Sequence, residues 1–200
     1  MTPPESSHVE ETVVMTAEAV AEACRRIAQE VVVANEDMAE VVLLGILRRG
    51  RPLADRLAKL IHELTGVAPQ VGSLATTLYR DDMRSGMRPL KHGYGKTHFE
   101  FPINNKTVVL VDDVIAAGRT VRAALDEVMD YGRPTRIQLA CLIDRGGREL
   151  PIQPDYLGWS VSGAPADHVS VQLMETDGQD IVLLERAAKE SENERDDASP

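Results

Sequence analysis

The segment that most constrains the fold is residues 106–120, which read KTVVLVDDVIAAGRT. Residues 108–111 are four consecutive apolar residues, mostly β-branched, and this pattern predicts a parallel strand that is covered on both faces. Two adjacent carboxylates, Asp112 and Asp113, follow at the point where we expect the strand to end. The small residues before Gly118 then lead into a pattern that is helical from Thr120 onward. The segment therefore predicts a strand–loop–helix unit of a parallel α/β sheet.

The loop of this unit has the properties of an anion-binding site. A short loop that opens a helix presents backbone N–H groups and the positive end of the helix dipole to a ligand. The neighbouring pair of carboxylates suits hydroxyl groups or a magnesium ion. We interpret the segment as a site that binds phosphate and sugar side by side. An ordinary turn with two solvated aspartates would contain the same individual features.

Strands and helices alternate through the first 145 residues. Thr16 can cap a helix with an apolar stripe from Val20 to Val31, and Pro52 introduces a second helix that runs to about Leu64. Further strands are predicted at 41–46, 71–79, 135–143, 155–159, 168–173 and 181–185, with a long loop or loose hairpin over 80–104. The alternation implies a mainly parallel sheet, in which ligands bind beyond the carboxyl ends of the strands.

The length of 200 residues suits one α/β domain with polar ends. Residues 1–12 and 187–200 are polar and charged, so we expect disordered tails on either side of a domain at 13–186. The formal charge of −10 argues against indiscriminate binding of nucleic acid. Much of that excess lies in the tails, so a local basic face on the folded part stays open.

Cysteine usage and hydropathy indicate a cytoplasmic protein. Cys24 and Cys141 both lie in apolar segments without metal-ligand spacing, so we expect reduced core residues. The N-terminus is polar and acidic rather than a signal peptide, and no apolar run approaches the roughly 18 residues of a membrane span.

Three other loops follow predicted strands. Arg49 and Gly50, in the run LRRG at 47–50, suit a diphosphate because guanidinium donors meet phosphate oxygens in pairs, although a solvated basic turn would read similarly. The run TLYRDDM at 77–83 carries Arg80, a basic residue placed to close over a leaving diphosphate. The run DRGGRELP at 144–151 lies where main-chain groups could contact a planar base, and a charged polar turn is its alternative.

Residues 106–120 resemble the phosphoribosyl-diphosphate (PRPP) signature of the type I phosphoribosyltransferases. On a wider scale, the runs GILRRGRPLA, TLYRDDM, VDDVIAAGRTVRAALD, GRPTRIQLACLIDRGGRELPI and DYLG are similar, in order and spacing, to the family of pyrimidine operon attenuation regulators and uracil phosphoribosyltransferases (PyrR). The resemblance covers about residues 16–185. It implies a central, mainly parallel sheet flanked by helices, with a small hood over the sheet edge. It also implies homodimers or homotetramers.

The resemblance implies two activities and a set of site residues. One activity forms UMP from uracil and PRPP with Mg²⁺, and the other binds pyrimidine-operon mRNA when uridine nucleotides such as UMP and UTP are abundant. Asp112 and Asp113 would hold the ribose hydroxyls, and the metal through PRPP and water. The PRPP-binding set is Arg49, Gly50, Asp112, Asp113, Ala116, Ala117, Gly118, Arg119 and Thr120; Arg80 joins the two aspartates as catalytic; Ile143, Asp144 and Arg145 would line uracil; Arg25, Arg26 and Arg148 would contact RNA.

Four differences from the family pattern, at six positions, stand out. Ala116-Ala117 replaces Tyr-Thr or Tyr-Ser, which removes a hydroxyl that could bind phosphate, so we expect weakened PRPP binding. Arg48 replaces a common threonine. Gly147 and Gln153 replace histidine and arginine, and Trp159 replaces lysine, which removes three groups from the surface thought to bind RNA.

Three hypotheses follow. The first is a uracil phosphoribosyltransferase that retains PRPP chemistry, favoured by the intact Asp112-Asp113 and Arg119-Thr120 pairs. The second is an RNA-binding regulator with secondary or lost catalysis, against which the missing basic residues count. The third is a PRPP-dependent transferase for another base, since main-chain contacts to the base encode specificity poorly.

Overall fold

The computed structural model describes residues 10–76, 96–164 and 167–186. In these ranges the strands are β1 (Glu10–Met15), β2 (Val41–Ile46), β3 (Gln70–Leu74), β4 (Thr107–Ile115), β5 (Arg136–Asp144), β6 (Tyr156–Ser160), β7 (His168–Gln172) and β8 (Ile181–Arg186). The helices are α1 (Ala17–Ala34), α2 (Gly50–Thr65), α3 (Arg119–Tyr131) and the single-turn α4 (Met174–Asp177). Within these ranges, none of the helices combines the length and the apolar character that crossing a membrane requires.

A five-stranded parallel sheet, in the order β3-β2-β4-β5-β6, forms the centre of the fold. The three inner strands, β2, β4 and β5, are mainly apolar because both of their faces are covered. On β4, Val109 and Val111 face the side of α1 and α2, whereas Val108 and Leu110 face the side of α3. The prediction of a mainly parallel sheet flanked by helices is confirmed.

The helices begin and end at residues whose chemistry explains the boundaries. Thr16 caps α1 by accepting a hydrogen bond from the Ala19 N–H at 3.5 Å. Helix α2 begins at Gly50, two residues before the predicted Pro52, so the proline lies in the first turn, where its missing N–H costs nothing. Helix α3 ends at Tyr131. Gly132 follows because a Cβ there would lie 2.8 Å from Ile103 Cγ1.

Strands β1, β8 and β7 form a separate antiparallel sheet, which we call the hood. Its apolar side chains, which include Val169, Val171 and Val182, join the same core as α1 and α2. Residues 10–12, which composition assigned to a disordered tail, belong to β1 and pair with Leu184 to Arg186 of β8. That expectation was wrong because the partner strand lies at the far end of the sequence. The polar character of β1 fits an edge strand whose first four residues are exposed.

Strand β3 ends at Leu74, before the predicted limit at 79, and residues 77–79 lie outside the described ranges. Within the segment predicted as a loop or loose hairpin, His98 forms an antiparallel bridge with Ser73. Cys24 and Cys141 are both buried and free, as expected. Burial of the two thiols raises their pKa values, that of Cys24 to about 11.

Candidate active site

The two adjacent aspartates lie where β4 extends beyond the end of its neighbour β2. Strands β2 and β4 pair from Val41–Thr107 to Gly45–Val111, whereas β4 continues to pair with β5 as far as Ile115. Asp112 and Asp113 were expected just after the strand, but the structure places them inside it. They stay within β4 because β5 still pairs with it, and they flank the space that opens where β2 ends.

Glycines let the segment after β2 pack against the backbone of β4. A Cβ on Gly50 would lie 2.2 Å from the Val111 carbonyl oxygen and 3.4 Å from Asp112 Cα. A Cβ on Gly45 would lie 2.4 Å from Arg51 Cα. Both distances are too short for any side chain. The two glycines therefore fix the predicted diphosphate loop directly beside the aspartates.

Arg49 lies between this loop and the hood. Its Nε donates to Asp177 Oδ2 at 3.1 Å and its Nη2 donates to Asp177 Oδ1 at 2.9 Å. The hydrogen bonds to Asp177 raise the pKa of Arg49, and those from Arg49 lower the pKa of Asp177. Arg56, about two turns further along in α2, donates to Glu175 and to Asp180. One arginine at the N-cap of α2 and one within it thus hold the hood against this part of the chain.

The two aspartates differ in environment. Asp112 is only 6% exposed, and its Oδ1 accepts a hydrogen bond from the Asp113 N–H at 3.1 Å. Burial raises the pKa of Asp113, an effect opposed in part by hydrogen bonding from Asp112 and by the charge of Arg49. A carboxylate that is costly to ionise gains from a ligand that brings hydroxyl donors or a cation. The pair therefore suits a sugar diol or a hydrated metal.

The predicted phosphate loop joins β4 to α3. Gly118 has φ +91°, a left-handed conformation that favours glycine, and it is the N-cap of α3. The carbonyl of Ala117 accepts hydrogen bonds from the N–H groups of Glu149 and Leu150, each at 3.1 Å. Arg119 is exposed and pairs with Glu149 at 2.6 Å. Thr120, half-buried, lies in the first turn of α3.

The predicted base loop begins at the end of β5. Ile143 is fully buried and pairs with β4 on one side and β6 on the other, so the structure does not expose this predicted base-lining residue to a ligand. Asp144 Oδ1 accepts a hydrogen bond from the Gly146 N–H at 2.8 Å. The Arg145 N–H donates to the Ile115 carbonyl at 3.0 Å, and its side chain donates to the Asp167 carbonyl. The base loop is therefore tied both to β4 and to the segment before β7.

The three arginines expected to contact RNA have different local partners. Arg25 is exposed and pairs with Glu22 at 2.8 Å. Arg26 donates to the carbonyls of Leu157 and Gly158, which lie on the edge strand β6. Arg148 lies in the base loop with its side chain only 14% exposed, and donates to several protein acceptors. Its bonds to Ala116 and Asp144 place it at the candidate active site.

Arg80, predicted to be catalytic, lies outside the described residues. The chain on either side of that segment is held to α3. The Ala75 N–H donates to Thr97 Oγ1 at 2.9 Å, and Thr97 Oγ1 donates to Glu127 Oε1 at 2.5 Å. Glu127 is only 7% exposed.

Sequence reasoning missed three residues that shape this site. Gly45 had a usable signal, because an isolated glycine in a buried strand often marks a close approach of backbone. Asp177 and Arg56 had none, since their partners lie more than a hundred positions away.

The carboxylates fit a metal only in part. Asp112 and Asp113 offer the oxygen ligands that Mg²⁺ prefers, but the described ranges contain no cluster of three or more metal-ligating side chains. An ion here would take its remaining ligands from a substrate and from water.

Comparison with known proteins places this architecture in a family. The model of the phosphoribosyl transferase domain family matches residues 14–175. The protein named bifunctional protein PyrR from Clostridioides difficile is 45% identical over 177 residues, covering 88% of this chain and 98% of that protein. The protein of the same name from Pelotomaculum thermopropionicum is 51% identical over 164 residues, covering 81% of this chain and 89% of that protein.

Among solved structures, a hypoxanthine phosphoribosyl transferase from Trypanosoma cruzi superposes with a TM-score of 0.66 at 16% identity, covering 92% of this chain and 95% of that one. At that identity the likeness concerns the fold alone. The expected phosphoribosyltransferase fold with a hood is confirmed. The chain belongs to the phosphoribosyl transferase domain family and, within it, to the PyrR family.

Proposed function

We propose that this protein is a uracil phosphoribosyltransferase that forms UMP and diphosphate from uracil and PRPP. The observation that carries the proposal is the convergence of three loops at one edge of the parallel sheet. They are the Arg49–Gly50 loop beside the aspartates, the phosphate loop before α3, and the base loop after β5. Membership of the PyrR family supports uracil as the base.

Each group has a role in the reaction. Asp112 and Asp113 accept hydrogen bonds from the ribose hydroxyls, the backbone of 116–118 with Thr120 binds the 5′-phosphate, and Arg49 binds the diphosphate. The anomeric C–O bond to diphosphate breaks, a C–N bond to uracil N1 forms, and the N1 proton is released. Such a displacement needs positioning and charge stabilisation more than proton transfer by a side chain.

Magnesium is part of the proposal. Asp112 and Asp113 would hold it through PRPP oxygens and water, and when bound it offsets the negative charge of the leaving diphosphate. Arg49 contributes a second positive charge from the protein side. Arg80 would add a third.

The test is a screen of base substrates with the native protein. We expect PRPP- and Mg²⁺-dependent formation of UMP from uracil, with orotate and hypoxanthine as competing bases. A preference for another base would replace uracil in the proposal. Absence of turnover with all three bases would overturn the enzymatic function.

A second candidate function is regulation through pyrimidine-operon mRNA, supported by the word "bifunctional" in the names of the curated relatives. The exposed Arg25 and the half-exposed Trp159 are on the surface, but Arg26 donates to β6 carbonyls and Arg148 lies within the site. We therefore expect weak RNA binding with a shallow salt dependence. A filter-binding titration with leader RNA, with and without UMP or UTP, tests this. Tight, UMP-enhanced binding at physiological salt would contradict it.

Homodimers or homotetramers are expected from the family resemblance. Sedimentation velocity at several concentrations would distinguish them from a monomer.

A further inference from the structure

The strongest unexplained feature of the site is that the Arg148 side chain donates hydrogen bonds to acceptors within the protein itself. Its Nε donates to the Ile152 carbonyl at 2.8 Å, its Nη1 to the Ala116 carbonyl at 2.9 Å, and its Nη2 to Asp144 Oδ2 at 2.7 Å. The planar guanidinium thus bonds in three directions at once, a geometry that lysine cannot reproduce. One of its partners is in the phosphate loop and another begins the base loop.

The backbone of the base loop is shaped to bring this side chain back over the sheet edge. Gly146 and Gly147 have φ values of +72° and +74°, so two consecutive left-handed residues turn the chain. Asp144 uses one oxygen for the Gly146 N–H and the other for Arg148. Both carboxylate oxygens therefore serve the shape of the loop.

The carbonyls of Ala116 and Ala117, in the phosphate loop, accept hydrogen bonds from residues of the base loop. Arg148 binds that of Ala116, and the N–H groups of Glu149 and Leu150 bind that of Ala117. Peptide bonds in this loop are trans, and in a trans unit the N–H of the next residue points opposite to the carbonyl. Holding these two carbonyls directs the N–H groups of Ala117 and Gly118 away from the base loop.

This orientation matters more here because the loop lacks a hydroxyl side chain at 116 and 117. Its donors to a phosphate are then backbone N–H groups together with Thr120. Any residue that fixes the direction of those N–H groups also sets the strength of phosphate binding.

We propose that Arg148 is a positioning residue that couples the phosphate loop to the base loop, so that the two halves of a nucleotide are bound cooperatively. The proposal rests on the proposed function and deepens it. It assigns Arg148 a role inside the site.

The test compares binding of UMP and uridine by calorimetry in the native protein, Arg148→Met, Arg148→Lys and the control Arg122→Met. Arg122 is exposed on α3 and lies near Asp126. The ratio of the two affinities measures the contribution of the phosphate. We expect this ratio to fall roughly tenfold or more in Arg148→Met, to stay low in Arg148→Lys, and to be unchanged in Arg122→Met.

If Arg148 had a merely structural role, Arg148→Met would weaken the binding of UMP and of uridine equally and leave the ratio of affinities unchanged. That result would overturn the proposal. A native affinity ratio in Arg148→Lys would assign the effect to charge and overturn the coupling by a three-way bridge. Arg148→Met could instead leave the ratio of affinities unchanged and lower the salt slope of RNA binding by about one. That result would assign Arg148 to RNA contact and overturn the proposal.

Hydrogen exchange of residues 115–119 in the ligand-free protein tests the same coupling without requiring turnover. We expect faster exchange there in Arg148→Met than in Arg122→Met, and equal exchange would overturn the proposal. If Arg148→Met does not fold, Asp144→Asn removes the charged acceptor and should lower the UMP-to-uridine ratio in the same direction. Failure of the proposed function would instead show as absence of UMP binding and turnover in the native protein.

Discussion

Arg49 and Asp177 form a two-point ion pair, with Nε–Oδ2 at 3.1 Å and Nη2–Oδ1 at 2.9 Å, that joins the predicted diphosphate loop to the hood. Both bonds use the Nε edge of the guanidinium. The Nη1 edge has no partner among the described residues, so Arg49 can meet a diphosphate while Asp177 still holds it. The hood carboxylate therefore orients Arg49 rather than merely neutralising it.

Asp177→Asn should lower the free energy of unfolding by about 0.5–1 kcal/mol at neutral pH, a value discounted for the partial exposure of both side chains. The pKa of Asp177 is lowered in the folded protein, so its stabilisation is present above the ordinary aspartate pKa and lost as the pH falls towards the folded value. Denaturant titrations from pH 7 to pH 3 should show the difference shrinking. Glu22→Gln, which breaks the more exposed pair with Arg25, is the control and should change little. Equal effects of the two substitutions would contradict the prediction.

Asp113→Asn should weaken PRPP binding while raising thermal stability at neutral pH. Burial raises the pKa of Asp113, so the fold favours its neutral form. That stabilising contribution is complete below the ordinary aspartate pKa of about 3.9 and is lost as the pH rises through the folded pKa. The melting temperatures of the native protein and the variant should therefore converge in acid and separate near neutrality.

Calorimetry with PRPP checks the other half of that prediction. Asp126→Asn, on the exposed surface of α3, is the control and should leave PRPP affinity unchanged. Unaltered affinity of Asp113→Asn would remove the ribose role assigned to this residue.

Gly50→Ala should destabilise the protein by about 1–3 kcal/mol and raise the KM for PRPP, because the new Cβ would meet the Val111 carbonyl at 2.2 Å. Gly66→Ala is the matched control. Gly66 has φ +75° and open space around it, so the substitution costs backbone strain of about 1 kcal/mol without a clash. Thermal melts and steady-state kinetics would separate the two, and a normal KM in Gly50→Ala would show that the loop is not part of the PRPP site.

Ala117→Ser should strengthen PRPP binding by about 1.5–3 kcal/mol, because it restores a hydroxyl beside the phosphate position. Ala117 is half-buried and directly precedes Gly118, the N-cap of α3. Ala116→Ser is the matched control and should have a smaller effect, since position 116 is one residue further from the N-terminus of α3. Equal or weaker PRPP binding in Ala117→Ser would indicate that this loop does not contact the phosphate.

Cys24 and Cys141 should resist alkylation in the folded protein. Burial raises the pKa of the Cys24 thiol to about 11, and that of Cys141 well above its usual value, so little thiolate forms at pH 8. Mass spectrometry after iodoacetamide treatment should find unmodified protein under native conditions and two additions in denaturant. Rapid native labelling would show that the core around the thiols opens readily.

The parallel sheet was predictable because its strands are encoded locally, by continuous apolar runs between helical stripes. The proximity of Gly50 to Asp112 was predictable because both follow, in motif order, strands that end at one sheet edge. The pairing of Glu10–Met15 with the last strand was not, since its outer residues are polar and its partner is remote in sequence. The internal role of Arg148 was hidden for the same reason: its Ala116 partner lies 32 positions away, and a cationic side chain in a charged loop reads as a surface group.

Arg49, at the N-cap of α2, and Arg56, within it, both pair with acids of the hood, and this has a consequence for engineering the family. The hood meets α2 through acids at 175, 177 and 180, so a hood exchanged between relatives would bring its own set of carboxylates to these two guanidinium groups. A chimera whose new hood lacks acids at these positions would leave the two cations without their partners. The exchangeable module is therefore discontinuous in sequence, and consists of β1, residues 49–56 and the segment from β7 to β8.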